Sequence, residues 1–298
     1  MSPGILLIYP VAGYQLIVEA LVKVITVSRS YGSGGSQFAR QLAEQLGYRY
    51  VDEAFIKEIE HNTEQCSPLL SSIEDEVDPG FLGKLVELMT NRIFYKTALS
   101  LCLYELAAAE DVVVVGAGAN LVFAGYPSLI SLQLVRSLSE RVRSIAHEKN
   151  LTVDDALELI QDKDKEKSKW IKNYFDKDLF DPLQFHMVIN LSLIPTEKAL
   201  TLVTPFTTSL VDGISQDSSD AWLKNRLLER KAEMVVFHLG LAHGPTIEFH
   251  ADGGVLTAKG VVGGKGEKEK LLEGLGKMSE VTNVVDQLKV GVLSRMLY

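Results

Sequence analysis

A glycine-rich segment constrains this chain more than any other feature of its sequence. It follows a short β-branched run, residues 24–27, and reads Gly32-Ser33-Gly34-Gly35. Glycine tolerates positive φ angles, so the segment favours a tight loop over a regular element. From Ser36 onward apolar residues recur at helical spacing, and Gly47 stands where a helix C-cap belongs. The pattern therefore predicts a strand, a glycine loop and a helix.

Such a loop is suited to binding an anion. Its backbone N–H groups and the free N–H groups at the start of the helix point toward one place, and a phosphate is the natural occupant. The alternative is that the loop only joins the strand to the helix and binds nothing. The candidate phosphate-binding residues are Gly32, Ser33, Gly34, Gly35 and Ser36.

The loop departs from the Walker A pattern G-x-x-x-x-G-K-[ST], in which the lysine reaches the outer phosphates. If Gly34 is aligned with the second glycine and Ser36 with the hydroxyl residue, Gly35 takes the place of the lysine. Arg29 then takes the place of the first glycine. The sequence therefore predicts a phosphate cradle without its usual cation, and the candidate replacements are Arg29, Arg136 and Lys163.

Two further segments follow predicted parallel strands, at the edge where α/β sheets bind ligands. Asp52 ends the strand at 48–51 and is either part of a ligand pocket or the N-cap of a helix from Glu53. Four consecutive valines, 112–115, predict a central strand buried on both faces. They run into Gly116-Ala117-Gly118, which favours a close backbone approach over a dinucleotide site.

A charged helical pattern covers residues 139–175. Lysines alternate with acidic residues from Asp162 to Lys172, which is typical either of a solvated helix or of a cationic lid that closes on phosphates. Strand and helix patterns alternate as far as Val203, and such alternation predicts an α/β fold with a parallel sheet and helices on both faces.

The composition bounds the class of protein. The 298 residues carry a net charge of −9, and residues 1–220 alone carry −11. This acidic body argues against nonspecific nucleic-acid binding. The two cysteines, Cys66 and Cys102, give neither a disulfide framework nor metal-ligand spacing, so we expect a reducing, cytoplasmic location.

Both ends of the chain differ from its middle. Residues 1–23 are apolar and form either a non-core extension, an amphipathic helix on a membrane surface or a membrane span. A Ser/Asp/Gly-rich stretch predicts a linker over 206–220. Beyond it, residues 221–292 have the pattern of a small αββαβ domain without a catalytic cluster.

Two resemblances follow from these segments. Residues 24–205 resemble the cytidylate kinase-like family of P-loop nucleoside monophosphate kinases, through the string ITVSRSYGSGGS, through DVVVVGAGAN, and through the lysine-rich segment followed by DP-x₃-HMVIN. Residues 222–290 resemble a BON domain through GVLTAKGVV and VTNVVDQLKV. The BON resemblance implies a membrane-surface or protein partner.

The kinase resemblance implies transfer of a phosphoryl group from ATP, with Mg²⁺, to CMP or dCMP. It implies that Gly32 to Ser36 cradle phosphate, that Ser36 faces Mg²⁺ and that Asp52 lies near the monophosphate pocket. It also implies that Arg141, Asp164 and Lys167 are catalytic lid residues. The chain departs from the family at Gly35, at Ala117 and at Lys167, where the family has cations or arginines.

Three hypotheses follow from this combination of motifs and departures. The first is an active (d)CMP kinase with a rearranged phosphate grip. The second is a catalytically degenerate sensor of a nucleotide or another phosphate compound, coupled to the BON-like module. The third is a scaffold that binds no ligand.

Overall fold

The computed structural model describes residues 22–52, 81–116, 118–209, 215–241 and 247–291. These residues form two compact units, the first comprising 22–52 and 109–219 and the second 81–108 and 220–291. Two predicted features lie outside the described residues, namely residues 1–21 of the apolar extension and the helix from Glu53 that Asp52 could cap. The predicted domain boundaries at 24–205, 206–220 and 221–292 stay a prediction.

The first unit is built on a parallel sheet of five strands in the order β2-β3-β1-β4-β5. Its strands are β1 (Val24–Arg29), β2 (Arg49–Val51), β3 (Val112–Val115), β4 (Leu129–Val135) and β5 (Met187–Asn190). The valines of β3 are fully buried, as their uninterrupted run predicts. The expected α/β fold with a parallel sheet is thereby confirmed.

Helices connect these strands. They are α1 (Gly35–Leu46), α2 (Phe81–Ala109), α3 (Ala119–Val122), α4 (Leu138–Lys149), α5 (Val153–Phe175) and α6 (Thr196–Ser209). Gly47 ends α1 with φ of 70°, which confirms the predicted C-cap. Helices α1 and α6 pack on one face of the sheet, where buried apolar side chains alternate along β1, β3 and β4.

The charged helical pattern is divided into two helices, and the sequence marks the start of the second, because Thr152 and Asp155 have the spacing of a capping box. Asn150 ends α4 with φ of 53°, in the left-handed region that asparagine tolerates better than most residues. Thr152 then caps α5, its hydroxyl accepting the backbone N–H of Asp155. The resulting turn lets α4 and α5 pack against each other through a small apolar cluster, Val142, Ile145, Ala156 and Ile160.

The second unit contains most of α2 together with α7 (Gln216–His238), β6 (Ile247–Asp252), β7 (Val255–Val262), α8 (Lys265–Gly276) and β8 (Asn283–Val290). Strands β6 and β7 are antiparallel, and β8 pairs with β7 in parallel. From α7 onward the order is αββαβ, as the pattern predicts. Helices α6 and α7 both extend into the stretch expected to be a linker, since α6 ends at Ser209 and α7 begins at Gln216. Pro205 lies inside α6 without ending it.

Candidate phosphate-binding site

The glycine loop lies at the carboxyl end of β1, between Arg29 and the first residue of α1. Gly32 has φ of 75° and Gly34 has φ of 84°, which is the left-handed region that glycine adopts without a steric penalty. Gly34 is the N-cap of α1 and offers no side chain to the helix. The N–H groups of the first turn are therefore left for a ligand or for water.

The backbone N–H groups of the loop fall into two sets. Those of Ser30, Tyr31 and Ser33 are bonded to the chain, at the carbonyl of Leu134, the carboxylate of Asp164 and the carbonyl of Ser30. The second set has no acceptor among the residues that the structure describes. It comprises the N–H groups of Gly32, Gly34, Gly35 and Ser36. An anion cradle thus remains over the glycines and the start of the helix.

Two serines of the loop present hydroxyl groups in different surroundings. Ser33 is 1% exposed, and its Oγ finds no hydrogen-bond partner within the described residues. A buried hydroxyl without a partner is costly, so this oxygen is suited to a ligand or a bound water. Ser36, on the first turn of α1, is exposed to solvent. This exposure fits a hydroxyl that faces a phosphate-bound cation.

Arg29 lies where the Walker A pattern has its first glycine, and its side chain crosses the lysine position. A Cβ added at Gly35 would lie 2.6 Å from Cβ of Arg29. Farther out, a Cβ added at Gly116 would lie 2.1 Å from Nη1 of Arg29. The guanidinium group therefore rests against the glycine that follows β3, and both glycines are needed to let the arginine pass.

The predicted lid residues are brought to the entry of the loop. Lys167 donates from Nζ to the carbonyl of Arg29 at 2.7 Å. Arg141 donates from Nη1 to Asp164 at 2.6 Å and to the carbonyl of Tyr31 at 3.1 Å. The contacts of Lys167 with Arg29 and of Arg141 with Tyr31 are made to backbone carbonyls, and none of these hydrogen bonds, all within the described part of the chain, reaches Gly32 to Ser36.

Of the other two replacement cations, one lies near the loop and one is paired elsewhere. Arg136 follows β4, and its Nη1 would lie 3.8 Å from a Cβ added at Gly34. Lys163 pairs with Glu166 at 2.8 Å on the exposed surface of α5. Arg136 also pairs with Glu140, at 3.8 Å, so both cations have a glutamate partner and Arg136 alone of the two is shown beside a loop glycine.

Asp52 and the segment after β3 lie at the same carboxyl edge of the sheet. Asp52 directly follows β2, which pairs with β3, and it is half-buried. The alternative role of Asp52 as a helix N-cap concerns residues outside the described part of the chain. At Gly118 an added Cβ would lie 2.6 Å from the ring of Phe175, so this glycine permits the close approach that the sequence indicated.

Sequence reasoning missed Tyr31 and Phe175 as parts of this site. Tyr31 acts through its backbone, which no residue pattern reveals. Phe175 closes the carboxyl end of α5, where it joins Trp170 in a ring contact of 5.7 Å. The spacing of Asp164, Lys167 and Phe175 places all three on one face of a helix, and this is the signal that was available.

The family model of the cytidylate kinase-like family matches residues 24–193, more than half of the chain. This match covers the glycine loop, the five-stranded sheet and helix α5. The chain belongs to the cytidylate kinase-like family. No similar sequence was found among curated proteins.

Solved structures with a similar fold share little sequence with this family member. An uncharacterised protein from Eubacterium ventriosum is 15% identical, with 64% of this chain and 98% of that chain covered and a TM-score of 0.48. Shikimate kinase from Acinetobacter baumannii is 16% identical, with coverages of 65% and 96% and a TM-score of 0.37. Dephospho-CoA kinase from Campylobacter jejuni is 14% identical, with coverages of 62% and 97% and a TM-score of 0.33.

Among the residues that the structure describes, two kinds of feature are absent. No group of three or more His, Cys, Asp or Glu side chains among them is arranged to hold a metal ion directly. None of the helices in the same part of the chain is long and apolar enough to cross a membrane.

Proposed function

We propose that this family member is a nucleotide kinase that transfers a phosphoryl group from ATP, with Mg²⁺, to CMP or dCMP. The observation that carries the proposal is a set of four loop N–H groups without an acceptor in the described residues, with four cationic side chains nearby. The N–H groups are those of Gly32, Gly34, Gly35 and Ser36, and the cations are Arg29, Arg136, Arg141 and Lys167. Membership of the cytidylate kinase-like family supports the choice of acceptor. We also propose a cytoplasmic location.

The proposed roles follow from where each group lies. The N–H groups of the loop and the Ser33 hydroxyl bind the phosphates of ATP. The exposed Ser36 hydroxyl faces Mg²⁺, and Asp52 lies on the side of the monophosphate. In the transfer, an oxygen of the monophosphate attacks the γ-phosphorus while the bond to the leaving ADP breaks. The protein contributes position and positive charge to this step.

Arg29 supports activity in spite of the missing lysine. Its side chain fills the space that a lysine side chain at residue 35 would need, and its guanidinium group extends across the carboxyl ends of β1 and β3. A guanidinium group binds phosphate oxygens in a bidentate manner, which a lysine cannot do. We propose that Arg29 replaces the absent lysine and also the cation that the family places after the central strand.

A second candidate function is a sensor that binds a nucleotide without transferring phosphate. The observation that favours it is the commitment of Arg141 and Lys167 to carbonyl groups of the loop. Losing a charge-stabilising group from a transfer site costs about 10²–10³ in rate. In this version the αββαβ region is a BON-like module that links nucleotide binding to a protein or membrane-surface partner.

Two parallel measurements on the full chain separate these functions. One is thermal unfolding with MgATP, and the other is ADP release with MgATP and each nucleoside monophosphate in turn. The kinase proposal predicts thermal stabilisation by MgATP and ADP release with CMP or dCMP. Stabilisation without product on any acceptor supports the sensor, and no stabilisation by any nucleotide contradicts both.

A matched pair of variants assigns the binding to the loop. Gly34 and Gly125 have φ of 84° and 83°, and an added Cβ at either would meet nothing closer than 3.8 Å. Alanine at either position therefore carries a similar backbone strain, about 1–2 kcal/mol. We expect Gly34→Ala to weaken ATP binding by about tenfold through the lost cradle geometry, while Gly125→Ala leaves ATP affinity unchanged.

A further inference from the structure

The most unusual contact of the site is a carboxylate inside an anion-binding loop. Asp164 of α5 accepts the Tyr31 N–H at 3.0 Å through one oxygen and the Arg141 Nη1–H at 2.6 Å through the other. The side chains of Asp164 and Arg141 are only 19% and 11% exposed. Tyr31 adjoins Gly32, whose N–H group has no acceptor in the described part of the chain. The carboxylate therefore binds the N–H group that directly precedes the cradle in the chain.

The groups around this carboxylate explain why it is held there. Arg141 bridges it to the Tyr31 carbonyl, and Lys167 on the same helix binds the carbonyl of Arg29. Together these contacts fasten α5 to the chain entering the loop. The Nε–H of Arg141 is buried and finds no acceptor among the described residues. The guanidinium group of Arg141 therefore binds the Asp164 carboxylate through Nη1, and its Nε–H is still available to a ligand.

We propose that Asp164 is an internal anion that holds the phosphate loop until a ligand phosphate displaces it. A phosphate bound at the Gly32 N–H would lie next to the Asp164 carboxylate, which binds the N–H of the preceding residue. Two neighbouring negative groups in a partly buried site repel each other strongly. Displacement of Asp164 also frees Arg141 to bind the incoming phosphate. The inference rests on the proposed function only in that a phosphate compound binds the loop, and it does not require transfer.

The inference predicts that a substitution in the binding site increases the affinity for the ligand. Asp164→Asn keeps the shape of the side chain and removes its charge, so it should tighten binding of a polyanion by about tenfold, the scale of one charged hydrogen bond. A role for Asp164 as a direct support of ligand binding predicts weaker binding instead. Lys167→Met removes a cation from the same contact region and should weaken binding.

Asp162→Asn is the matched control. Asp162 lies two residues earlier on α5, is exposed, and its substitution changes the net charge by the same amount. We expect this variant to bind as the wild type does, within about twofold, because exposed charges are screened. If Asp162→Asn increased the affinity for the polyanion as much as Asp164→Asn does, the increase would come from the change in net charge, and the inference would be overturned. Asp164→Ser removes the same charge with a smaller side chain and serves if the asparagine variant does not fold.

The experiment is isothermal titration calorimetry of the full chain with inorganic tripolyphosphate and, separately, with ATP. Wild-type binding that becomes tighter in the Asp164 variants alone supports the inference. Binding that only these variants show would mean that the ligand does not displace Asp164, and it overturns the inference. If the wild type binds and the Asp164 variants bind equally well or more weakly, the inference is overturned, whereas the proposed function is not contradicted. Absence of binding in the wild type and in every variant overturns both.

Discussion

At the scale of single residues, the site depends on one pair of substitutions relative to the Walker A pattern. Arg29 and Gly35 stand where the pattern has glycine and lysine, and their side chains compete for one space. The arginine can pass only because residue 35 is glycine. The two departures therefore depend on each other: the positively charged side chain beside the loop belongs to Arg29, at the end of strand β1, and not to a lysine at the start of helix α1.

This coupling is testable by restoring the pattern. Gly35→Lys alone should destabilise the protein by about 1–3 kcal/mol, because its Cβ would overlap that of Arg29. The double variant Arg29→Gly/Gly35→Lys creates a full Walker A loop and removes the overlap. We expect its loss of stability to be smaller than the sum of the two single losses, as measured by chemical denaturation.

Additive losses would contradict this account of the pair. Gly125→Ala, at an open position in the same unit, provides the reference for a glycine substitution that overlaps nothing. A single Gly35→Lys variant as stable as the wild type would equally show that Arg29 does not occupy the lysine position.

The residues of the loop were predictable, and their partners were not. Three glycines in four residues, followed by a helical pattern, indicate the cradle from Gly32 to Ser36 by local rules alone. The bond from Tyr31 to Asp164 joins residues 133 positions apart, and no pattern in the sequence specifies it. Comparison with the Walker A pattern identified Arg29 as a candidate replacement for the lysine. Only the structure shows that its side chain passes Gly35 and reaches Gly116.

At the scale of elements, long helices pair within the second unit. Phe94 of α2 meets Phe237 of α7 edge to face at 5.2 Å, and Tyr104 meets Trp222 in the same manner at 5.5 Å. Between them the Thr97 hydroxyl donates to Glu233 at 2.6 Å, and burial raises the pKa of that carboxyl. Helix α2 thus contributes to the core of a unit whose other elements come much later in the chain.

Removing one ring should loosen this pair. Phe237→Ala leaves the buried Phe94 without its partner, and we expect a loss of about 2–4 kcal/mol in the free energy of unfolding of the second unit. Hydrogen exchange should accelerate in α2 as well as in α7. Lys224→Ala, at an exposed position on α7, should change stability by less than about 0.5 kcal/mol. Unchanged exchange in α2 would show that the pair does not stabilise it.

Element bounds were mostly predictable because hydrophobic period and caps are local. The pattern predicted α1, the valine strand and the αββαβ order from α7 onward. It predicted helix over 139–175 and a helix start at Thr152, and the structure confirms that start, whereas charged residues on both sides of Asn150 hide the end of the preceding helix. It also expected a linker over 206–220 from the Ser, Asp and Gly residues there, although α6 continues to Ser209 and α7 begins at Gln216.

At the scale of the whole molecule, the chain combines a parallel sheet and a small mixed sheet, each with its own core. The strand order β2-β3-β1-β4-β5 was not predicted, because strand order depends on contacts between distant segments. The order places Arg29, Asp52 and Gly116 at the carboxyl ends of three adjacent strands. The likeness of the later region to a BON domain stays a prediction, as does its partner.

The central claim is that the unbonded N–H groups of the loop bind a polyanion, and one measurement observes them directly. The full chain labelled with ¹⁵N-glycine gives one amide signal for each of its 23 glycines. On addition of MgATP we expect the signals of Gly32, Gly34 and Gly35 to shift downfield as their N–H groups bond to phosphate. Those of Gly253 and Gly254, in the turn between β6 and β7, should stay in place. Loop signals that move no more than these two would contradict the account.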